Sequence, residues 1–298
     1  MIRFAQFGKL FGSQRAVDSL SLEIGRGEAV ALLGPNGSGK TTTLKAAAGL
    51  IRPTEGDVLI GEPGRRSGEP EARRILSFLP QRVTFPDALT GREALEFYRA
   101  LRATPAARVD EVLRFASLNG AGSRAVGTYS GGMIQRLGLA VAMLPDAPIL
   151  LLDEPTAALD PDGLSAFYDL VSRHRREEKT LFFTSHQMGD AERLADRIAV
   201  LVEGRLVATL TARELADRLA ERGVMRVRVA GLGEEALRKV RAVAPQAVLD
   251  ADELTVPGPA SLRPAVIEAI RSAGAEVRSI TAEEGRLDTL YRDLVRRG

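Results

Sequence analysis

The chain has 298 residues, of which 45% are hydrophobic and 27% charged; this is an ordinary globular composition and a length that favours two domains. Its 41 Lys and Arg nearly balance its 39 Asp and Glu, so the net charge of +2 gives no case for nucleic acid as the main partner. It contains no cysteine, which excludes disulfides and thiolate metal sites.

Nothing in the sequence predicts a membrane span. Residues 1–6 enter a predicted strand directly and do not resemble a signal peptide. The longest apolar stretch, residues 137–152, is interrupted by Pro145, Asp146 and Pro148 and is therefore not expected to cross a bilayer. If the protein acts at a membrane, another chain must supply the spanning part.

The first motif is a glycine-rich segment of the pattern G-x-x-x-x-G-K-[ST]. It consists of Gly34, Pro35, Asn36, Gly37, Ser38, Gly39, Lys40 and Thr41, with Thr42 next in the chain. The apolar run 28–33 predicts a buried strand before it, and residues 40–50 predict a helix after it. Such a loop surrounds a polyphosphate with backbone N–H groups, while Lys40 reaches the β- and γ-phosphates and Thr41 places its hydroxyl on Mg²⁺. The alternative is a plain turn between strand and helix.

Helices interrupt the strands in the middle of the chain. A strand at 75–79 is followed by Gln81, and the pattern from 82 to 127 is helical. Thr90 and Glu93 form a predicted capping box at the start of one helix. Thr104 as its cap and Pro105 in its first turn predict a second helix that runs to about residue 118.

Polar residues then stand at the ends of apolar strands. Ser130, Gly131 and Gly132 precede a helix predicted over about 134–144, which makes a potential anion site. A wholly apolar strand at 149–152 ends in Asp153 and Glu154, and a second strand at 180–184 ends before His186. The carboxyl ends of buried parallel strands form the functional edge of a sheet. The alternative is that the carboxylates only cap a helix and that His186 is a satisfied loop residue.

The last part of the chain predicts a separate small domain. Glu203 and Gly204 form a hairpin signal between two strands, and a boundary falls near residues 222–223. Beyond it the order β-α-β-β-α-β, with one helix added, predicts a ferredoxin-like α+β domain. The side chains that share one face of that last helix are Leu287, Leu290, Tyr291 and Leu294.

These motifs together resemble the ABC-type ATPase cassette. They stand in its order and approximate spacing over about residues 1–220, and they are the phosphate loop, Gln81, Ser130-Gly131-Gly132, Asp153-Glu154, Asp160 and His186. The resemblance implies an α/β fold, a P-loop NTPase core with a β-subdomain, in residues 1–222. It also implies a helical insertion at about 82–145, leaving residues 223–298 as an accessory α+β domain.

The resemblance implies a role for each motif residue, with ATP as substrate and Mg²⁺ as cofactor. Asp153 and Thr41 resemble the Mg²⁺ ligands, and Gln81 resembles the glutamine that senses the metal and water. Glu154 resembles the general base, and His186 resembles the residue that contacts the γ-phosphate and holds the water in line. Phe11 matches the aromatic that stacks on adenine, although its spacing alone equally suits a core or edge-strand residue. Asp160 is similar to the aspartate of an inter-subunit loop, although it also suits a helix cap.

The signature Ser130-Gly131-Gly132 implies a pair of cassettes. In the family this segment closes over the ATP of a second cassette, so the resemblance implies a homodimer or a pairing with another ATPase chain. Two positions depart from the common pattern, Tyr129 where Leu is usual and Met133 where Gln is usual. The resemblance also implies a separate membrane permease and a position at the cytoplasmic face of the cell membrane. A soluble cassette protein usually carries two cassettes, and a P-loop kinase leaves the signature and His186 unexplained.

Two stretches carry a narrower resemblance. Residues 81–95 and 129–140 are similar to the ATPase of the copper-processing transporter that matures nitrous oxide reductase. That resemblance implies a membrane subunit and a periplasmic partner that handle copper or sulfur. This chain does not itself suit copper binding, because it has no Cys and its histidines, His174 and His186, are far apart. The alternative is the ATPase of a drug or lipid exporter.

Overall fold

The structure is a computed structural model that describes residues 1–157, 159–186, 188–283 and 285. The chain divides into two compact units, Met1–Ala212 and a second unit that begins at Arg213. The sequence predicted a boundary at 222–223. Helix α8 (Ala212–Ala220) lies almost wholly beyond the observed division, because its Leu219 carbonyl accepts the N–H of Gly285 at 2.9 Å within the second unit.

The strands of the first unit form two sheets. They are β1 (Ile2–Phe11), β2 (Gln14–Ile24), β3 (Ala29–Leu33), β4 (Glu55–Ile60), β5 (Arg65–Arg66), β6 (Leu76–Leu79), β7 (Ile149–Asp153), β8 (Thr180–Ser185), β9 (Arg197–Val202) and β10 (Arg205–Leu210). The helices before α8 are α1 (Lys40–Ala47), α2 (Pro70–Arg74), α3 (Gly91–Leu101), α4 (Ala107–Phe115), α5 (Gly131–Met143), α6 (Pro161–Arg176) and α7 (Met188–Leu194).

The six-stranded sheet positions the functional residues. Its order is β10-β9-β3-β8-β7-β6, and every neighbouring pair except β10–β9 is parallel. Strands β3, β7 and β8 are buried at every position, which explains their unbroken apolar sequences. Because the strands are parallel, the phosphate loop after β3, the carboxylates of β7 and His186 after β8 all leave the same edge.

The smaller sheet has the order β2-β1-β4-β5 and packs over the same core. Phe4 and Phe7 of β1, Leu44 of α1 and Phe182 of β8 are all buried in that core. Helix α1 ends at Ala47, three residues before its predicted end, because Gly49 has a left-handed φ of 69°. The hairpin predicted between β9 and β10 is confirmed, since both Glu203 and Gly204 have positive φ.

Helices α3, α4 and α5 form the helical insertion and pack on one another. The predicted capping box is confirmed, because Thr90 accepts the N–H of Glu93 and the Glu93 carboxylate accepts the N–H of Thr90. The prediction that Thr104 caps α4 was wrong. Its carbonyl accepts the guanidinium of Arg99 and its N–H bonds the Arg99 carbonyl, so Thr104 completes the end of α3. Among the described residues no helix is long and apolar enough to cross a membrane.

The second unit contains the predicted β-α-β-β-α-β order. Its elements are β11 (Val224–Ala230), α9 (Glu234–Val243), β12 (Val248–Asp250), β13 (Glu253–Pro257), α10 (Arg263–Ser272) and β14 (Glu276–Glu283). The sheet is antiparallel, with the order β12-β13-β11-β14 that a ferredoxin-like fold requires. Its core includes Val227 and Leu254 from the sheet with Val240 and Ile270 from the helices. The predicted last helix lies outside the described residues.

Candidate functional site

The glycines of the phosphate loop are required by close backbone contacts. A β-carbon at Gly34 would lie 2.1 Å from the carbonyl oxygen of Leu201 in β9. Gly39, which begins α1, has a left-handed φ of 100°, and a β-carbon there would lie 2.5 Å from the Ala16 carbonyl oxygen. Only glycine meets both conditions, so the loop passes directly against β2 and β9.

The hairpin between β9 and β10 supports the loop from the side. The N–H of Gly204 donates to the Ser38 carbonyl at 3.1 Å, and the N–H of Asp18 donates to the Gly204 carbonyl at 2.8 Å. The tip of the loop, Asn36 and Gly37, is exposed, and Pro35 is half-buried. The Ser38 hydroxyl is buried and has no hydrogen-bond partner in the described part of the chain.

Lys40 is held by the loop in which it lies. Its ammonium donates to the carbonyls of Gly34 at 2.8 Å and Pro35 at 3.0 Å. Burial lowers the pKa of Lys40, and the nearby carboxylates of Glu154 and Asp153 oppose that effect by stabilising the cation. A buried cation beside the N-terminus of α1 is suited to a polyanion.

Asp153 links the end of β7 to the phosphate loop. Its Oδ1 accepts the hydroxyls of Thr184 at 2.7 Å and Thr41 at 3.2 Å. Burial raises the pKa of Asp153, and the hydrogen bonds from the two threonines partly reverse the rise. Oδ2 is buried without a partner among the described residues, which leaves one carboxylate oxygen uncommitted at the centre of the site.

The groups around Asp153 fit a Mg²⁺ ion. Magnesium takes oxygen ligands and binds through one or two carboxylates together with phosphate oxygens and water. The uncommitted Oδ2 of Asp153 and the hydroxyl of Thr41 are such ligands. Gln81, also predicted near the metal, instead donates its side-chain amide N–H to Glu154.

Glu154 lies between the two other predicted catalytic side chains. Its Oε2 accepts the Gln81 amide at 2.9 Å and lies 3.6 Å from Nδ1 of His186. Its own N–H donates to the Thr184 hydroxyl at 2.9 Å. Glu154 has a left-handed φ of 48°, unusual for a non-glycine residue and typical of strained functional positions. Glu154 is buried, whereas Gln81 and His186 are exposed, so the three side chains meet at the boundary with solvent.

Ser130, Gly131 and Gly132 start helix α5 directly, three residues before its predicted beginning. Ser130 is the N-cap, and its hydroxyl accepts the N–H of Met133 at 3.3 Å. Ser130 and Gly131 are exposed, and no atom lies within 4 Å of a β-carbon placed on Gly131. In the described part of the chain, no hydrogen bond joins Ser130 to Lys40, Asp153 or Glu154.

Asp160 and Phe11 also lie apart from the central cluster. Asp160 caps α6 by accepting the N–H of Gly163 at 2.9 Å, and it pairs with Arg136 of α5 at 3.4 Å. Asp160 therefore has the capping role and a link to the helix of Ser130. Phe11 is 51% exposed at the end of β1, with the Lys9 ammonium 5.1 Å from its ring centre, which excludes the core alternative.

Sequence reasoning missed three residues that the site uses. Thr184 bridges Asp153 and the backbone of Glu154, Arg136 pairs with Asp160, and Asp190 accepts hydroxyls close to His186. Thr184 could have been found as a hydroxyl residue at the carboxyl end of an apolar strand, beside the strand that ends in Asp153. Arg136 and Asp190 lie in helices with other charged or polar residues, so spacing alone gave no signal for them.

Comparison with known proteins identifies the family. The model of the ABC transporter family matches residues 17–157. The daunorubicin resistance ATP-binding protein of Streptomyces coeruleorubidus is 32% identical over 95% of this chain and 92% of its own length. The doxorubicin resistance ATP-binding protein of Mycobacterium tuberculosis is 33% identical over 96% of this chain and 89% of its own.

A solved structure supports the same family. The dimeric structure of an ATP-binding cassette in a post-hydrolysis state, bound to ADP and phosphate, is 28% identical with a TM-score of 0.66. The similarity covers 72% of this chain and 99% of that one. With the phosphate loop, the strand-end carboxylates and relatives matched over nearly the whole chain, the protein belongs to the ABC transporter ATP-binding proteins, and it is an ATPase that uses Mg²⁺.

Proposed function

We propose that this chain is the ATP-hydrolysing subunit of an exporter of antibiotic-like or lipid-like molecules, working with a separate membrane permease at the cytoplasmic face of the membrane. The main support is the share of the chain that is matched by relatives named for drug resistance. Relatives named for resistance to daunorubicin and doxorubicin match 95% and 96% of the chain, and so include the second unit. These relatives give no support to the narrower hypothesis of copper processing for nitrous oxide reductase or of a periplasmic partner.

Transport by inside-out membrane vesicles tests the proposal. The chain would be co-expressed with the permease encoded beside its gene, and ATP-dependent uptake of doxorubicin would be followed by fluorescence. We expect uptake that is lost with Glu154→Gln. If copper(I) loading depends on the same two chains and on ATP, while doxorubicin is not moved, the export proposal is wrong and the copper hypothesis is restored.

We assign the chemistry to the cluster around Asp153 and Glu154. Mg²⁺, when bound, would neutralise charge on the β- and γ-phosphate oxygens, and Asp153 and Thr41 would hold it with Gln81 nearby. Glu154 is the proposed general base, because its carboxylate lies beside the exposed Gln81 at the boundary with solvent. An attacking water at that boundary would be within hydrogen-bond reach of the carboxylate. Lys40 would exchange the carbonyls of Gly34 and Pro35 for phosphate oxygens.

His186 and Gln81 would fix the position of Glu154 and of the attacking water. Both side chains contact the same oxygen of Glu154, Gln81 at 2.9 Å and His186 at 3.6 Å. Gln81 lies two residues beyond β6, at the start of the helical insertion. A movement of the insertion would therefore shift Gln81 and alter its hydrogen bond to the proposed base, Glu154.

We infer that catalysis requires two cassettes, and we favour a homodimer of this chain over a pairing with another ATPase chain. Ser130 and Gly131 are exposed at the N-terminus of the 13-residue helix α5, which favours an anion. Because Ser130 has no hydrogen bond to the central cluster within the part of its own chain that the structure describes, the proposal is that it completes the site of a partner cassette. Ser130→Arg is expected to leave nucleotide binding by the isolated chain unchanged and to abolish the concentration-dependent rise of ATPase activity. Normal activity in this variant would refute closure by a partner.

The permease is proposed to dock on the helical insertion. Phe97 and Leu101 of α3, one turn apart, are 62% and 70% exposed. Leu101 also lines a groove of about 270 Å³ with Phe78, Tyr98 and Ala142. An amphipathic helix of the permease would bury this apolar surface. Leu101→Asp is expected to release the chain from permease-containing membranes without changing its own ATP binding.

The second unit is proposed to be an accessory domain that stabilises the dimer or regulates it. Its own core and complete sheet allow it to fold as a separate unit. Removal of residues 213–298 is expected to weaken ATP-dependent dimerisation, measured by analytical ultracentrifugation, while ATP still binds. Dimerisation of the truncated chain at the original concentration would show that this idea is wrong.

A further inference from the structure

Four charged residues are buried in the described part of the chain: Lys40, Asp153, Glu154 and Asp190. The first three belong to the phosphate loop and to the end of β7. Asp190, in α7, is only 3% exposed and has no role in the chemistry proposed above. A buried carboxylate is costly unless hydrogen bonds compensate it, so its surroundings indicate what it is for.

Three hydroxyl groups surround the Asp190 carboxylate. Oδ2 accepts the hydroxyls of Thr156 at 2.5 Å and Ser185 at 3.2 Å, and Oδ1 accepts the hydroxyl of Tyr168 at 3.0 Å. The guanidinium of Arg193 stacks on the Tyr168 ring, 3.9 Å from its centre. Both oxygens of the carboxylate therefore accept hydrogen bonds from hydroxyl groups of other segments, whose positions the carboxylate can fix.

Two of these hydroxyls come from the segments that carry the proposed catalytic side chains. Thr156 follows Glu154 by two residues, and Ser185 directly precedes His186. Both hydroxyls meet on the same oxygen of Asp190, so one atom joins the loop after β7 to the end of β8. Tyr168 anchors the other oxygen to α6, the helix that Asp160 caps.

We propose that Asp190 is a positioning residue for ATP hydrolysis. By tying Thr156 to Ser185 it sets the separation of Glu154 and His186, whose facing atoms are 3.6 Å apart. A displacement of about 1 Å in such an arrangement can lower a rate by two orders of magnitude. The inference rests on the roles proposed for Glu154 and His186.

The test compares two variants of this link with a control in the full-length chain. Asp190→Asn keeps the shape but replaces one acceptor oxygen with a donor. Thr156→Val removes one hydroxyl at nearly constant volume. The control is Glu28→Gln. It replaces a carboxylate that pairs with Arg197 at 2.7 Å, at the end of β3 opposite to the site. For each variant, kcat, KM for ATP and the Kd for MgADP are measured at a temperature far below every Tm. The Tm itself is measured by thermal unfolding.

We expect Asp190→Asn to lower kcat by about tenfold while KM and Kd change less than about twofold, since binding groups are untouched. Thr156→Val is expected to lower kcat in the same way but less. The double variant should be no slower than Asp190→Asn alone, because both changes break one link. Glu28→Gln should lower Tm without lowering kcat.

Two outcomes overturn the proposal. One is a normal kcat in Asp190→Asn or Thr156→Val, and the latter decides the matter if Asp190→Asn does not fold. The other is a loss of kcat in all three variants that follows Tm, which would make Asp190 only a stabilising residue. Glu154→Gln is measured alongside, so that failure of the Asp190 proposal can be distinguished from failure of the proposed catalytic roles. If Glu154→Gln hydrolyses ATP normally, the roles proposed for the site fail as well.

Discussion

The sheets of the two units treat their charged residues in opposite ways. In the first unit, Lys40, Asp153, Glu154 and Asp190 are buried near the carboxyl edge of the six-stranded sheet. In the part of the second unit that the structure describes, the sheet buries no charged residue, and four of its charged side chains pair across strands. Arg226 lies 2.8 Å from Glu283 and 3.9 Å from Glu253, and Arg228 lies 3.8 Å from Glu253.

This difference separates residues kept for chemistry from residues kept for solubility. Exposed ion pairs need little desolvation to form, and each contributes little to the free energy of unfolding. Buried charges weaken the fold unless each is compensated, and in the first unit one oxygen of Asp153 has no compensating partner among the described residues. Charge placed at the expense of stability marks a functional site, and the following changes sharpen that comparison.

The largest effect is expected at Glu154. Glu154→Gln removes the proposed base and keeps the size of the side chain, so kcat should fall by about 100-fold or more. MgATP should still bind and should hold the chain as a dimer. Steady-state ATPase assays and ultracentrifugation with ATP measure the two effects. A variant that hydrolyses ATP at the normal rate would remove Glu154 from the mechanism.

A smaller but still large effect is expected on binding at Lys40. Lys40→Ala removes a charge-assisted bond to phosphate, worth about 1.5–3 kcal/mol, or roughly 10- to 100-fold in Kd. Isothermal titration with MgADP measures it. Lys45, an exposed lysine five residues further along α1, provides the matched control, and Lys45→Ala should bind normally. Equal losses in both variants would point to a general charge effect.

Asp153→Asn is expected to stabilise the first unit while it destroys the metal site. Because burial raises the pKa of Asp153, the folded state holds the proton more tightly than the unfolded state does. Stability is therefore lost as the pH rises through the raised pKa, and the charged carboxylate destabilises the fold at neutral pH. Without Mg²⁺, the variant should have a Tm higher by roughly 2–4 °C at pH 7, for a gain of about 1 kcal/mol.

Differential scanning fluorimetry in EDTA, at a series of pH values, checks this expectation. The difference in Tm should shrink as the pH falls and the wild-type carboxylate becomes protonated. With MgADP present the order should reverse, because only the wild type retains the metal ligand. A lower Tm for the variant at neutral pH would show that the Asp153 charge is already fully compensated.

The smallest effect is expected at Glu253 in the second unit. Glu253→Gln removes both of its exposed ion pairs, so the free energy of unfolding should change by less than about 1 kcal/mol. The ATPase activity should be unchanged. Urea unfolding followed by circular dichroism measures the first quantity. A loss of activity here would mean that the surface charges of this unit also serve the reaction.

The sequence predicted the parts of the molecule whose local rules agree with the fold. Thr90 and Glu93 cap α3 as expected, Glu203 and Gly204 form the hairpin turn, and the second unit has its predicted order of elements. The edge shared by Lys40, Asp153 and His186 followed from the rule that parallel strands end together.

The remaining features depend on contacts that spacing cannot show. Thr104 resembles a helix cap, but its backbone is occupied by Arg99 at the end of α3. Asp190 resembles a solvated helix residue until Thr156, Tyr168 and Ser185 are brought around it by folding. The link between Arg136 and Asp160 joins two helices more than twenty residues apart in the chain.

The hydrogen bond between Gly204 and Ser38 shows that the phosphate loop depends on a residue outside its own motif. The phosphate loop consists of eight consecutive residues, yet it is held in place by a turn more than a hundred and sixty positions downstream. Replacing Gly204 by alanine would strain a left-handed φ of 82° and bring a methyl group within 3.0 Å of the Ala16 carbonyl. Inherited variation at this inconspicuous glycine should thus be as harmful as variation in the loop itself, although no pattern search would flag it.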